Sequence, residues 1–238
     1  MPNDEFPPVF LTIDCVLLAL SEDGRSGLRV ALHVRPDPPF PGLSALPGGY
    51  VHAEVDADLI DAARRVLRDK LGLSTDGLFL EQLCTVSGAR RDPRGWSASV
   101  VYYALVPSAR LPSEDARYDL VPVDVLPKLA FDHAAIIAKA VARLRAKTGY
   151  SNLPGFLLPE TFTMPELIAV YERVLGQSLD QSVFRRRMDE LGLIEPVPDA
   201  FRKGGRHRPA QLYRLSERKA SLHDRVIAQK PRGPTRPV

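Results

Sequence analysis

Apolar residues recur along this chain in two rhythms. In the front half, "VFLTIDCVLLAL" (9–20) and "LRVALHV" (28–34) are apolar and rich in β-branched residues, with the turn-like "SEDGRSG" between them, so both predict strands. "LFLEQLCTVSG" (78–88) and "SASVVYYALVP" (97–107) repeat that character around the loop "ARRDPRGW". Two segments carry the helical rhythm. Over 56–71, Leu59, Ala62, Ala63, Val66, Leu67 and Lys70 fall at i, i+3, i+4 spacing, which predicts a helix with one mostly apolar face. Over 133–147, "HAAIIAKAVARLRAK" does the same, with Asp132 placed to cap its start and Gly149 just past its end. Strands, helix, strands, helix is the order of a mixed sheet with helices packed on it, not of a regular βαβ array.

The rear half has a different plan. "TGYSNLPGFLLPE" (148–160) holds two prolines and two glycines and reads as a boundary. "TFTMPELIAVYERVLG" then predicts a helix capped by Thr163, with Pro165 in its first turn and Glu166 completing a capping box. After the short break "GQSLD", a second helix, "QSVFRRRMDELG", has Asp180 as its cap and buries Val183, Phe184, Met188 and Leu191. Two strand-like pieces follow around a Gly-Gly turn, and a tail rich in proline and basic residues runs from Ser221 to Val238. The domains expected are 1–150, 151–220 and a flexible basic tail, 221–238.

Helix, tight turn, helix and basic hairpin outline a winged helix-turn-helix. Gln181, Ser182, Arg185 and Arg186 lie towards the groove-facing part of the second helix, with Arg187 placed to reach the backbone. The hairpin tip "FRKGGRHR" adds Arg202, Lys203, Arg206, His207 and Arg208. A recognition helix in the major groove with a basic wing on neighbouring phosphates accounts for both clusters, because arginine's fork pairs two acceptors on guanine or phosphate. The competing readings are a small helical domain with a solvated basic face and a protein-binding winged helix.

Charge supports the division. Residues 1–150 carry 17 Lys+Arg against 19 Asp+Glu, and residues 151–238 carry 15 against 10, so the rear is basic and the front is not. Composition is otherwise that of an ordinary globular protein, at 45% hydrophobic and 26% charged over 238 residues. No apolar run has the length to span a bilayer, and the start lacks the basic-then-apolar order of a secretory signal, so a cytoplasmic location without membrane attachment is expected. Cys15 and Cys84 sit in strand-like stretches and are expected as buried free thiols. His33, His52, His207 and His223 show no metal-ligand spacing with them.

"LPGGYVHAEVDADLIDAARRVLRDKLGL" (46–73) resembles the Nudix box, which runs Gly, five residues, Glu, seven residues, Arg-Glu, aliphatic, any residue, Glu-Glu, any residue, Gly, aliphatic. Gly72-Leu73 anchor its end, Arg65 takes the Arg position and Leu67 the aliphatic one. Val66 stands on the first Glu of the helix, and Asp69 and Lys70 stand on the Glu-Glu pair. Gly49 lies two residues too far upstream, so the loop around Glu54–Asp58 carries an insertion and the leading Glu has no clean equivalent. Nudix chemistry uses Mg²⁺ or a similar hard cation held by several carboxylates. Valine offers no ligand and lysine brings a like charge. A metal site rebuilt from Glu54, Asp56, Asp58 and Glu81 is the alternative.

Taken with "LEQLCTVSGARRDPRGW" (80–96), "LAFDHAAII" (129–137), "LLPETFTMPELIAVYERVLG" (157–176) and "VFRRRMDELGLIE…GGRHRPAQLYRL" (183–215), the chain is similar to the NrtR family, the Nudix-related transcriptional regulators of NAD metabolism. The resemblance implies an α+β protein with an N-terminal Nudix-like mixed sheet and a C-terminal winged helix-turn-helix. It further implies a homodimeric repressor of NAD biosynthesis genes on double-stranded operator DNA. Its effector is ADP-ribose or a related NAD metabolite, with no required cofactor and no catalysis. The alternative is a Nudix hydrolase of the ADP-ribose pyrophosphatase kind with an accessory domain.

Candidates for the sensing site are Arg35, Gly48, Gly49, Arg65, Arg90, Arg91, Arg94, Asp132 and His133. The arginines suit a diphosphate, and the glycines allow close backbone approach. Plainer readings stand beside these. Arg65 can hold its loop by an internal ion pair, "RRDPRG" can be only a turn, and His133 can be only a helix-start residue. Trp96 and Tyr102 are expected as core or dimer contacts.

Overall fold

The computed structural model describes residues 9–21, 27–111, 117–202, 209–224 and 226–228. Its elements run β1 (Phe10–Leu20), β2 (Leu28–Val34), β3 (Ser44–Ala45), β4 (Gly48–Tyr50), α1 (Leu59–Leu71), β5 (Phe79–Gly88), β6 (Ser97–Leu105), β7 (Asp119–Pro122) and α2 (His133–Thr148). The rear half continues with β8 (Phe162–Thr163), α3 (Met164–Leu175), α4 (Gln181–Glu190), β9 (Ile194–Arg202) and β10 (Ala210–Leu215). The α+β class and the two kinds of domain are those expected from the sequence.

Strand β1 is the axis of the front sheet. It runs parallel to β6 from Phe10↔Ser97 to Leu18↔Leu105, and β5 pairs antiparallel with β6. On its other edge β1 divides its partners. Thr12–Asp14 pair with β4, whereas Leu18–Leu20 pair with β2. The sheet therefore forks between Asp14 and Leu18. β1 is buried on both faces, as in a sheet sandwiched between helices. Ile13, Cys15, Leu17 and Ala19 pack with Val100, Tyr102 and Ala104 against Ala62, Ala63, Val66, Leu67 and Leu71 of α1. Val16, Leu18 and Leu20 pack with Val101, Tyr103 and Leu105 against Ile136, Ile137, Ala140 and Leu144 of α2.

That second core does not stop at the domain boundary. It continues through Leu153, Phe156 and Leu157 into Phe162, Leu167, Tyr171, Phe184 and Leu215. Ser151–Leu158 are all buried, and Leu153–Leu157 form a 3-10 turn. The stretch that reads as a boundary from its prolines and glycines is thus part of the core. Arg145 of α2 donates to the Val174 carbonyl at 3.2 Å and Arg173 to the Ser21 carbonyl at 2.8 Å, which ties α3 to the front half.

The helix ends follow local chemistry with two corrections. α1 begins at Leu59, three residues after the predicted start, because the Asp58 carboxylate accepts from the Asp61 N–H at 2.9 Å. It ends at Gly72, which is left-handed with φ 62°. Lys70, expected on the apolar face, is exposed. Asp132 makes no capping bond to α2, and Gly149 is right-handed. The capping box of Thr163 and Glu166 and the Asp180 cap form as predicted. β8, β10 and β9 make the small antiparallel sheet of the wing. Cys15 is buried, but Cys84 is only half-buried. Tyr102 is in the core, whereas Trp96 is 46% exposed and is not a core residue.

Candidate functional site

A cavity of about 280 Å³ opens at the fork in the sheet. It is lined by Thr12 and Asp14 of β1, His33 of β2, Arg35 just after it, and Gly48–Tyr50 of β4. Pro36, Asp37, Pro38, Leu46, Lys70, Arg91, Asp92, Arg94, Phe131 and His133 complete it.

Asp14 is its buried centre. Ser99 donates its hydroxyl to Asp14 Oδ2 at 2.6 Å, Arg91 approaches the same oxygen at 3.4 Å, and His133 Nε2 lies 3.5 Å from Oδ1. The Leu46 N–H donates to His133 Nδ1 at 2.9 Å, so the ring proton sits on Nε2, towards Asp14. Burial alone would raise the Asp14 pKa. The His133 and Ser99 hydrogen bonds and the Arg91 charge outweigh it and hold the carboxyl below its usual range. Gly48 is required here: an added Cβ would stand 2.5 Å from Asp14 Oδ1 and 2.9 Å from the Ile13 carbonyl oxygen. Gly49 is different, because its Cβ would meet only Val66 Cγ2 at 3.5 Å.

Each arginine in the cavity is held by an acceptor. Arg91 grips Asp132 with two bonds, of 3.2 and 2.9 Å, and these carboxylates offset its burial and raise its pKa. That grip is why Asp132 does not cap its helix. Arg94 pairs twice with Asp92, at 3.0 and 2.7 Å, and lies 5.5 Å from the centre of the Tyr50 ring. Arg35 donates to the Pro39 carbonyl at 2.8 Å and lies 5.0 Å over the Phe131 ring. Phe131 and Phe40 meet edge to face at 5.0 Å, and both have positive φ, at 52° and 65°. For bulky side chains that is a costly conformation, of a kind concentrated at ligand sites. Burial, and then the Lys70 and Arg35 charges, lower the pKa of His33.

Arg35, Gly48, Gly49, Arg91, Arg94 and His133 are therefore brought together, with Asp132 behind Arg91. Arg65 and Arg90 are not among the lining residues. Arg65 grips Asp56 at 2.7 and 2.8 Å and donates to the Tyr50 carbonyl at 2.9 Å, so it fastens the lengthened loop instead. Arg90 is exposed outside the cavity. Sequence reasoning missed Asp14, Ser99, Tyr50 and Phe131. The available signal was Asp14 itself, a carboxylate inside an otherwise apolar strand.

The residues do not fit a divalent cation. Val66 is 2% exposed in the core beneath Gly49, and Lys70 lines the cavity. The rebuilt set is scattered. Asp56 is held by Arg65, Asp58 caps α1, and Glu81 binds Lys147 at 2.7 Å and Arg143 at 3.2 Å. Among the described residues no three His, Cys, Asp or Glu side chains are grouped to hold a metal.

On α4, Phe184 and Met188 are fully buried, Phe184 edge-on to Tyr171 at 4.8 Å. Gln181, Ser182, Arg185 and Arg186 are exposed together. Arg185 makes no ion pair with a described residue, and Arg186 lies 3.6 Å from Glu190. Arg187 is held at 2.9 Å by Glu190 with its side chain 23% exposed, so it is less available than its neighbours. Arg202 pairs with Glu166. Lys203, Arg206, His207 and Arg208 lie outside the described residues.

The family model for the NrtR DNA-binding winged helix domain matches residues 154–215. An "ADPR responsive transcriptional repressor NtrR" of Acinetobacter baylyi is 37% identical over 219 residues, 90% of this chain and 85% of that protein. Shewanella oneidensis NrtR, solved in complex with a 27mer DNA, is 37% identical with a TM-score of 0.77, over 87% of this chain and 93% of that one. The NUDIX domain of the same Shewanella protein, complexed with ADP ribose, is 34% identical with a TM-score of 0.50, over 60% of this chain and 94% of that one. An ADP-ribose pyrophosphatase of Methanocaldococcus jannaschii is 36% identical over 111 residues, 46% of this chain and 63% of that protein.

Proposed function

We propose that this chain, which belongs to the NrtR family, is a DNA-binding transcriptional repressor controlled by ADP-ribose or a related NAD metabolite. The effector binds in the cavity at the sheet fork, and the genes controlled are those of NAD synthesis and salvage. The observation that carries this reading is the pairing, in one chain, of an arginine-lined cavity without grouped metal ligands and a winged helix presenting Arg185 and Arg186. Arg35, Arg91 and Arg94 keep N–H groups for a diphosphate, and Phe131 offers a ring face to a base. A second copy of the chain doubles a short half-site on a near-palindromic operator, so the active form is a homodimer working in the cytoplasm.

The similarity to a pyrophosphatase over 111 residues favours one second reading, a hydrolase with an accessory domain. It requires metal ligands where Val66 and Lys70 stand. A gel shift with DNA from upstream of NAD biosynthesis genes, with and without ADP-ribose, separates the two. Binding of that DNA with an affinity changed by ADP-ribose supports the repressor, since an effector shifts the equilibrium only by preferring one state. Release of AMP from ADP-ribose with Mg²⁺ or Mn²⁺ at about 1 s⁻¹ or faster would establish the hydrolase instead.

A further inference from the structure

We propose that the Lys70 ammonium stands at the effector's diphosphate where a divalent cation would otherwise sit, so that effector binding needs no metal. This rests on the ADP-ribose reading of the cavity. Lys70 is on α1, one turn beyond Val66, at the position where the Nudix box has the second of its paired glutamates. It lines the same cavity as Arg35, Arg91 and Arg94.

Those three arginines are already partly engaged. Arg91 holds Asp14 and Asp132, Arg94 holds Asp92, and Arg35 holds the carbonyls of Pro39 and Asp37. Two of them bring their own carboxylates, which cancel much of the positive charge a diphosphate would meet. Lys70 has no hydrogen-bond or ion-pair partner among the described residues. A diphosphate entering a partly closed cavity loses solvation and needs a compensating charge. With no three His, Cys, Asp or Glu side chains grouped to hold a metal among the described residues, and an ammonium in place, a free metal ion is disfavoured beside Lys70. A tethered ammonium reaches the same oxygens and is always present.

The test is calorimetric titration of ADP-ribose into the full-length protein, in EDTA and again in Mg²⁺ or Mn²⁺. The parent should bind equally well in all three. Lys70→Met should weaken binding about tenfold, the order expected for losing one charge-assisted contact. Lys70→Arg should retain most of the affinity, and Lys70→Glu should fall below Lys70→Met. Melting curves establish that each variant is folded, which the exposure of Lys70 makes the expected result. If the parent binds ADP-ribose only with metal, or if affinity does not follow the charge at position 70, the inference falls while the sensor reading stands. If the parent binds ADP-ribose under no condition, the ADP-ribose reading of the cavity fails, and this inference with it.

Discussion

Replacing Gly48 by alanine tests whether the cavity is built as described. The new Cβ would lie 2.5 Å from Asp14 Oδ1 and 2.9 Å from the Ile13 carbonyl oxygen, where ordinary contact begins near 3.4 Å. Neither atom can yield cheaply. Asp14 is fixed by Ser99 at 2.6 Å and by His133, and Ile13 lies in the β1–β4 pairing opposite Gly49. Relief requires β4 to move away from β1, which loosens the pairing and shifts Tyr50 and Gly49 in the cavity wall. Overpacking of this kind costs about 1–3 kcal/mol, or roughly 2–10 °C in melting temperature for a chain of this size. Gly49→Ala is the internal control. Its Cβ meets Val66 at an ordinary 3.5 Å, and loss of glycine's unfolded-state freedom should leave stability unchanged or slightly raised. Thermal unfolding by circular dichroism, with ADP-ribose titrations on both variants, reads the contrast. If Gly48→Ala melts with the parent, or if Gly49→Ala is the worse of the two, the packing of β4 on Asp14 has been misjudged.

Three further outcomes are expected. Arg185→Ala or Arg186→Ala should cost about 1–3 kcal/mol in operator affinity and relax preference at one base position, measured by gel shift across mutated operators, whereas Arg187→Ala should act more through Glu190 and folding. Phe184→Ala should destabilise the protein by about 3–5 kcal/mol, since the ring is fully buried against Tyr171; an unchanged urea midpoint would contradict that. Arg65 lowers the Asp56 pKa to about 2 from 3.8, so the stability contributed by the pair is full above about pH 4 and lost as pH falls through about 2. Unfolding of Arg65→Met measured from pH 5 to 2 should show its deficit against the parent shrinking over that window.

What was legible in the sequence was mostly local. Thr163, Glu166 and Asp180 cap their helices by contacts within three residues, and those contacts form whatever the rest of the chain does. β1 and β6 were visible as apolar runs because both their faces are buried. Asp132 looked like a cap because its competing partner, Arg91, is 41 residues away in sequence. Arg65 was drawn into the ligand set because its place in the Nudix-box spacing is the same whether its guanidinium faces a phosphate or Asp56. Proline and glycine at 148–160 signalled a break in regular structure, which is correct, but composition says nothing about whether an irregular segment is solvated.

The burial of Ser151–Leu158 governs how the two halves can move. A solvated connection would let the reader swing freely, and an operator could then be met at many spacings. Here reorienting the winged helix means sliding Phe156 and Leu157 against the sheet that also walls the proposed effector cavity. In the proposed homodimer, half-site spacing would then follow from interior packing and not from tether length. Lengthening the chain at 148–150 would not relax it. A volume change at Phe156 would alter which spacing is tolerated without touching a base-contacting side chain.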